Sequence, residues 1–235
     1  MALVLAAGRG ERLGSGGPKA FVVVGGRPML EWSIEALQAV DEVTQIVVAL
    51  PADVDAPAGT VGVEGGEHRS QSVLAALRAG EGDPVIVHDA ARALVTPAIF
   101  QAALDALAEH ACEATIAAAP VTDTIKEAAG GEVTRTLDRS TLWAVQTPQV
   151  FRRAALERAL AVSEDLMAAA TDDAWLVERT GGVVRVVATT RENMKITTPA
   201  DLQFAELALR GRGGATTGDR ASTPSRRQRA WPGSS

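Results

Sequence analysis

Short apolar runs alternate with amphipathic segments along most of the chain. The runs predict strands at residues 1–5, 43–50, 84–87, 114–119 and 183–188. The amphipathic segments predict helices at residues 28–40, 70–79, 97–108, 152–162 and 199–209. Runs without polar alternation are typical of strands that are buried on both faces. Strands that alternate with helices indicate an α/β fold, in which helices flank a mainly parallel sheet.

Residues 119–138 interrupt this alternation. Two polar β-like segments, residues 121–127 and 132–137, flank the sequence Ala-Ala-Gly-Gly at 128–131, which is typical of a hairpin turn. Neither segment has an apolar face that would hold it against a core. We therefore predict a hairpin arm, at about 119–138, that protrudes from the domain.

The charge distribution divides the chain into two parts. Acidic residues outnumber basic ones by 29 to 23, and the formal net charge is −6. Residues 211–235 hold five arginines and one aspartate without periodicity, so we expect a disordered tail rich in Arg, Gly and Ser. Residues 1–210, which we predict to be a single domain, then carry a net charge of −10. A domain with so negative a net charge is not expected to be a general nucleic-acid-binding protein.

The composition excludes several other classes of protein. One cysteine, Cys112, cannot form an intramolecular disulfide and suits a reducing compartment. Three histidines without metal-ligand spacing argue against a zinc site. No apolar run approaches the length of a membrane span, and the N-terminus lacks the features of a signal peptide. We expect a soluble, cytoplasmic protein with no membrane partner.

A glycine-rich loop at residues 6–19 follows the first predicted strand. Gly8 and Gly10 let backbone N–H groups approach a phosphate closely, because no Cβ intervenes. Arg12 and Lys19 could both reach one triphosphate, and Lys19 is one of only three lysines. The spacing matches neither a P-loop nor a dinucleotide-binding fingerprint. An ordinary surface loop is the alternative interpretation.

A second glycine pair precedes the predicted helix at residues 70–79. Gly66 opens space for a flat base, and Ser72 could bond to that base from the first helical turn. The alternative is that Ser70 is a plain helix N-cap and that Arg69 faces solvent.

The sequence His-Asp-Ala-Ala-Arg follows a buried strand, at the edge where open α/β sheets bind ligands. Asp89 could hold a ribose hydroxyl, a substrate hydroxyl or Mg²⁺, and Ala90 leaves room beside it. Arg92 could pair with a substrate phosphate. We interpret His88 as structural. The alternative for Asp89 is a cap on the next helix.

Several segments, in this order and spacing, resemble the 2-C-methyl-D-erythritol 4-phosphate cytidylyltransferase family of nucleotidyltransferases. They are residues 5–19, 65–73, 87–92, 120–126, 138–139, 146–149, 171–174 and 195–197. The resemblance spans residues 2 to about 210. It implies a Rossmann-like sheet, a homodimer formed through the arm, CTP as co-substrate, Mg²⁺ or another divalent cation, and cytidylyl transfer to methylerythritol phosphate.

The resemblance also implies roles for individual residues. The implied catalytic residues are Arg12, Lys19, Arg139 and Lys195. The implied nucleotide-binding residues are Ala6, Ala7, Gly8, Gly66, Glu67, Ser72, Asp89 and Ala90. The implied substrate-binding residues are Asp89, Arg92, Thr124, Arg139, Thr147 and Lys195. Arg139 would act from the partner subunit, and no metal ligand is assigned.

Some interpretations stay open. The segment Thr171-Asp172-Asp173 resembles a helix N-terminus and could supply either a helix cap or a ligand. We expect Trp143 in the core and Lys126 on the surface. Leu5 and Ala93 replace prolines that are common in the family, which bears on loop rigidity. Ribitol-phosphate cytidylyltransferase and a non-catalytic CTP-binding module are the rival functions.

Overall fold

The computed structural model describes residues 1–8, 10 and 17–214. Its strands are β1 (Ala2–Leu5), β2 (Val23–Val24), β3 (Arg27–Pro28), β4 (Ile46–Leu50), β5 (Val61–Glu64), β6 (Val85–Asp89), β7 (Ala114–Pro120), β8 (Lys126–Ala129), β9 (Glu132–Thr136), β10 (Trp143–Phe151) and β11 (Val184–Ala188). Its α-helices are α1 (Met29–Gln38), α2 (Arg69–Ala79), α3 (Pro97–Glu109), α4 (Arg153–Leu160), α5 (Glu164–Ala169), α6 (Asp173–Arg179) and α7 (Pro199–Gly214).

Seven strands form one sheet in the order β11-β7-β10-β6-β1-β4-β5. Strand β10 is antiparallel to both of its neighbours, and the other six strands run parallel to one another. Apolar side chains pack against both faces in two clusters, one around Phe100 and Leu37 and one around Phe151 and Leu156. The predicted α/β fold with a mainly parallel sheet is therefore confirmed.

The order of the strands reverses at β1. The chain leaves β1 towards β4 on one side and later returns to β6 on the other side. The loops that follow β1 and β6 diverge to opposite sides of the sheet at this point, which leaves a crevice at the carboxyl ends of the strands. Ala6 follows β1 and Asp89 ends β6, so both lie at this crevice.

The predicted hairpin is present as β8 and β9, which form a separate two-stranded sheet. Every residue of both strands is exposed. The turn uses Gly130 and Gly131 at φ values of +58° and +86°, a conformation that L side chains rarely adopt. Strand β8 begins only at Lys126, later than predicted, and the exposed Lys126 donates to the Thr136 hydroxyl over 2.6 Å.

Two expectations need correction, and several elements were not predicted. Strand β10 was not predicted, because its first residues are exposed and its middle is polar. Trp143, expected in the core, begins this strand beside the hairpin and is 38% exposed. Helix α7 continues to Gly214, so the predicted start of the tail at residue 211 falls within a helix. Residues 215–235 lie outside the described residues.

In the part of the chain that the structure describes, no helix combines the length and the apolar character needed to cross a membrane.

Candidate active site

A pocket of about 220 Å³ opens at the crevice between β1 and β6. Its wall contains most of the predicted nucleotide contacts: Ala6, Ala7, Gly8, Gly66, Glu67, Ser72 and Asp89. Ala90 is the exception, because it is fully buried in the core beneath the pocket. The neighbouring Ala91 forms that part of the wall instead.

Lys19 and Lys195 bring two of the three lysines of the chain to this pocket. Lys19 begins a single 3₁₀ turn, Lys19–Phe21, and its backbone N–H donates to the carbonyl of Gly8 over 3.1 Å. This bond closes the glycine-rich loop at its base. Arg12, the other predicted phosphate ligand of the loop, lies outside the described residues.

The start of α2 forms the opposite wall of the pocket. A Cβ on Gly65 would lie 2.3 Å from the Cβ of Ala7, so only glycine permits this approach of the two loops. Ser72 accepts a hydrogen bond from the backbone N–H of Gly66 over 3.1 Å, which fixes the wall that was predicted to contact the base. The N-cap of α2 is His68, and the Ser70 hydroxyl donates instead to the carbonyl of Met167. Ser70 is therefore not the cap.

Asp89 joins the two sides of the site through ion pairs. Its Oδ2 lies 2.9 Å from Lys195 Nζ, and its Oδ1 lies 3.3 Å from Arg69 Nε. Burial alone would raise the pKa of Asp89, but Arg69 and Lys195 outweigh burial and hold it well below its usual range. Asp89 is therefore an anion that is already paired with two cations before any ligand binds.

Arg69 is the main residue that the sequence interpretation missed. It also forms an ion pair with Asp173, a fully buried residue of α6. Burial alone would lower the pKa of Arg69, and the two acids, Asp173 foremost, raise it. Rather than facing solvent, Arg69 ties α2 to both β6 and α6.

A second pocket adjoins the first. Its wall includes the predicted substrate residues Asp89, Arg92, Thr147 and Lys195, together with Arg69, Gln146 and Asp172. Asp172 is the N-cap of α6, since its Oδ1 accepts from the backbone N–H of Trp175 over 2.9 Å. Of the two roles considered for this segment, helix cap and ligand, the structure shows the helix cap at Asp172. Because Arg69, Asp89 and Lys195 line both pockets, the two form one continuous site.

Thr147 connects the second pocket to the buried His88. The Thr147 hydroxyl accepts from the backbone N–H of Asp89 over 3.0 Å and lies 3.0 Å from His88 Nδ1. Burial lowers the pKa of His88 from 6.5 to about 3, so its ring is neutral near pH 7. The structure places His88 under the site, as expected of a structural residue.

Arg92 is mostly buried and faces the second pocket. Its Nη1 donates to the carbonyl of Asn193 over 2.8 Å, and burial lowers its pKa. Its Nη2 donates to the carbonyl of Val145 over 3.4 Å, and its Nε is buried without a hydrogen-bond partner among the described residues.

Two predicted substrate residues lie away from both pockets. Thr124 and Arg139 flank the hairpin, both are exposed, and the walls of the two pockets include neither of them. Arg139 Nη1 donates to the carbonyl of Thr122 over 2.7 Å. Within this chain they therefore do not contribute to the described walls of either pocket.

The described residues contain no cluster of three or more His, Cys, Asp or Glu side chains that could hold a metal ion. Asp89 and Glu67 are the carboxylates in the wall of the nucleotide pocket. A cation here would need most of its oxygen ligands from a bound phosphate, as Mg²⁺ often does.

The fold, the cationic side chains and the glycine-lined pocket at the switch point are those of a nucleotidyltransferase. The family model of 2-C-methyl-D-erythritol 4-phosphate cytidylyltransferase matches residues 1–211. The chain therefore belongs to this family.

Curated relatives and solved structures agree with this family assignment. The 2-C-methyl-D-erythritol 4-phosphate cytidylyltransferase of Deinococcus radiodurans is 49% identical over 212 residues, which cover 89% of each chain. That of Frankia casuarinae is 48% identical over 88% of this chain and 80% of its own. The crystal structure of the enzyme from Thermus thermophilus superposes with a TM-score of 0.77 at 36% identity, covering 89% of this chain and 98% of the other.

Proposed function

We propose that this chain transfers a cytidylyl group from CTP to 2-C-methyl-D-erythritol 4-phosphate, in the non-mevalonate route to isoprenoid precursors. The products are pyrophosphate and 4-diphosphocytidyl-2-C-methyl-D-erythritol. Family membership supports the reaction. The structural observation that supports it most is the continuity of the two pockets at Arg69, Asp89 and Lys195. A nucleotide in one pocket and a polyol phosphate in the other would meet at these side chains.

The reaction is a displacement at the α-phosphorus of CTP. An oxygen of the 4-phosphate forms the new P–O bond, and the bond to the bridging oxygen breaks as pyrophosphate leaves. The attacking group is already an anion, so no general base is required. Catalysis then consists of positioning and charge neutralisation. Lys19, and Arg12 in the same loop, would stabilise the charge that develops on the α-phosphate and the leaving pyrophosphate.

Lys195 would hold the attacking phosphate. Its ammonium group lies between the two pockets, where it pairs with Asp89. Arg92, Thr147 and Arg139 of the partner subunit complete the proposed polyol-phosphate site. Gly66, Glu67 and Ser72 form the proposed base site, since all three line the nucleotide pocket.

A divalent cation fits this site as a cofactor that accompanies the triphosphate. Asp89 is the residue that would hold it, because its carboxylate is ionised and lies at the junction of the pockets. When bound, the cation would neutralise charge on the triphosphate oxygens. Lys195 and Arg69 are the protein groups that keep Asp89 oriented.

We also propose that the chain acts as a homodimer joined through the arm. The strands of the arm are exposed over their whole length, and an isolated two-stranded hairpin is marginally stable in water. Val133 is 60% exposed and offers an apolar contact for a second copy. A dimer would cover these residues and would carry Thr124 and Arg139 to the second pocket of the other subunit.

The assignment is tested by measuring pyrophosphate release from CTP with methylerythritol 4-phosphate and with ribitol 5-phosphate in parallel. We expect turnover with the first substrate, and a Lys19→Ala variant should lose about 100-fold or more in kcat while its Tm is unchanged. Arg158→Ala, on the exposed face of α4, is the control. Turnover with ribitol 5-phosphate alone, CTP binding without turnover, or a Lys19→Ala variant of normal activity would each contradict the assignment.

A further inference from the structure

Lys195 stands on a segment without helix or strand, between β11 and α7. A lysine side chain has high rotamer entropy, so its position depends on how firmly its backbone is held. One anchor follows it directly. The backbone N–H of Ile196 donates to the carbonyl of Ala91 over 2.8 Å, and the Ile196 side chain is fully buried.

The second anchor is Asn193, two residues before Lys195. Asn193 is 1% exposed, and its Nδ2 donates to Gln146 Oε1 and to the carbonyl of Thr147, each over 2.9 Å. The backbone carbonyl of Asn193 accepts from Arg92 Nη1 over 2.8 Å. Both the side chain and the main chain of this residue are therefore fixed to walls of the second pocket.

These contacts close a ring that contains Lys195. From Asn193 the ring passes through the carbonyl of Thr147, and the Thr147 hydroxyl accepts from the backbone N–H of Asp89. From Asp89 it returns through the 2.9 Å ion pair to Lys195. The chain from Asn193 to Lys195 completes it. The Asn193 side chain and the Lys195–Asp89 ion pair therefore belong to the same ring of contacts.

The Asn193 amide is buried at an energetic cost. Its Oδ1 has no hydrogen-bond partner among the described residues, and an unsatisfied buried acceptor destabilises the fold. Only the NH₂ group of the amide forms hydrogen bonds, and it donates both of them to acceptors on strand β10, which lines the second pocket. A purely space-filling position would be served better by an apolar residue of the same size.

We propose that Asn193 is a positioning residue that holds Lys195 against Asp89 for capture of the attacking phosphate. It touches neither pocket and acts through Lys195. This role adds a residue to the proposed function, and its kinetic test rests on the proposed reaction.

A double-mutant cycle tests the role. We expect Asn193→Ala to lower kcat/KM for methylerythritol 4-phosphate by about 100-fold in the wild-type background, the effect of misplacing a reactive group by about 1 Å. In a Lys195→Ala background the same change should cost less than about threefold, because the group that Asn193 positions is gone. Equal losses in the two backgrounds would overturn the proposal.

Two further variants separate positioning from folding. Asn193→Asp keeps the shape but places a carboxylate against two acceptors, so its loss in kcat/KM should equal or exceed that of Asn193→Ala. Thr189→Val removes another hydrogen bond to the same Gln146 Oε1, which Thr189 donates over 2.9 Å, and should keep near-normal activity. Loss in Thr189→Val as large as in Asn193→Ala would reduce Asn193 to a structural residue.

A second readout needs no turnover, so it distinguishes failure of this proposal from failure of the proposed reaction. Acetic anhydride labelling followed by peptide mass spectrometry compares Lys195 with the exposed Lys126 in the same molecules. We expect Asn193→Ala to raise the labelling rate of Lys195 relative to Lys126 by about fivefold, because the ion pair to Asp89 is lost. An unchanged ratio in a folded variant would overturn the proposal, whether or not the wild type transfers cytidylyl groups.

Discussion

Lys195 Nζ lies 2.9 Å from Asp89 Oδ2, so the lysine at the junction of the two pockets is already paired with a carboxylate of the sheet edge. Residues 1–210 nevertheless carry a net charge of −10. The walls of the two pockets hold four cationic side chains, Lys19, Lys195, Arg69 and Arg92, together with the carboxylates of Glu67, Asp89 and Asp172. The field that a phosphate meets is set locally.

Asp89→Asn should impair catalysis while leaving the fold in place. The amide keeps the shape but removes the charge that holds both Lys195 and Arg69. We expect kcat/KM for methylerythritol 4-phosphate to fall by about 100-fold, as for loss of a positioned catalytic group. Pyrophosphate release measures this, and Asp105→Asn on the exposed face of α3 is the control. Equal activity of the two variants would show that Asp89 is dispensable.

Gly65→Ala should weaken CTP binding in particular. The added Cβ would lie 2.3 Å from Ala7 Cβ and 3.1 Å from Ser72 Oγ, so the two walls of the nucleotide pocket must separate. We expect the KM for CTP to rise by about tenfold, within the range for overpacking a tight contact. The KM for the polyol phosphate should change less.

Gly211→Ala is the matched control for this change. It adds the same methyl group to helix α7, where no described atom outside the backbone of the helix itself and the adjacent residues lies within 4 Å of the new Cβ. Its KM for CTP should equal that of the wild type. If the two variants bind CTP alike, the close approach at Gly65 does not define the pocket.

The sequence predicts those parts of the fold whose signal is local. Strand β1, helix α2 and strand β6 each have a continuous apolar run or helical spacing, and they carry Gly8, Ser72 and Asp89 to the crevice. Strand β10 was not predicted because its two ends lie in different environments. It begins exposed beside the hairpin at Trp143 and ends fully buried at Phe151, so it shows neither regular alternation nor an unbroken apolar run.

Site residues that belong to a local sequence motif could be predicted, whereas residues whose role depends on a contact with a distant part of the chain were missed. Arg69 could be a solvent-facing helix residue by its sequence alone. Its role depends on Asp173, which is 104 residues away in the chain and comes within ion-pair distance only in the folded structure. Asn193 likewise depends on Gln146 and Thr147 of β10. Spacing in one sequence does not report such pairs.

His88 should make the stability of the protein depend on pH below neutrality. Burial lowers its pKa from 6.5 to about 3 in the folded state, so between these values only the unfolded chain takes up the proton. The contribution of His88 to stability is therefore complete above pH 6.5 and is lost as pH falls towards 3. The free energy of unfolding should rise with pH by up to about 1.4 kcal/mol per unit from this residue.

Urea unfolding of wild type and His88→Asn at pH 5, 6 and 7 measures this contribution. The variant should be less stable at pH 7, because its side chain fills the core less well, and its stability should fall less steeply as pH decreases. His110→Asn, at the end of α3, is the control and should keep the slope of the wild type. Parallel pH profiles for wild type and His88→Asn would exclude His88 as the source.

Two inactive variants should restore activity when they share one dimer. If Arg139 acts on the site of the partner subunit, a Lys19→Ala chain and an Arg139→Ala chain together form one site with both defects and one site with neither. Random mixing gives half mixed dimers, so about a quarter of wild-type activity should return. The two chains are co-expressed with different affinity tags, and pyrophosphate release is measured on the dimer purified through both tags. This purified mixed dimer should show about half of the wild-type activity. Mixed dimers that stay inactive would place Arg139 in the site of its own subunit, an Arg139→Ala chain that is active alone would place Arg139 outside catalysis, and a monomeric protein would exclude the arm as a dimer contact.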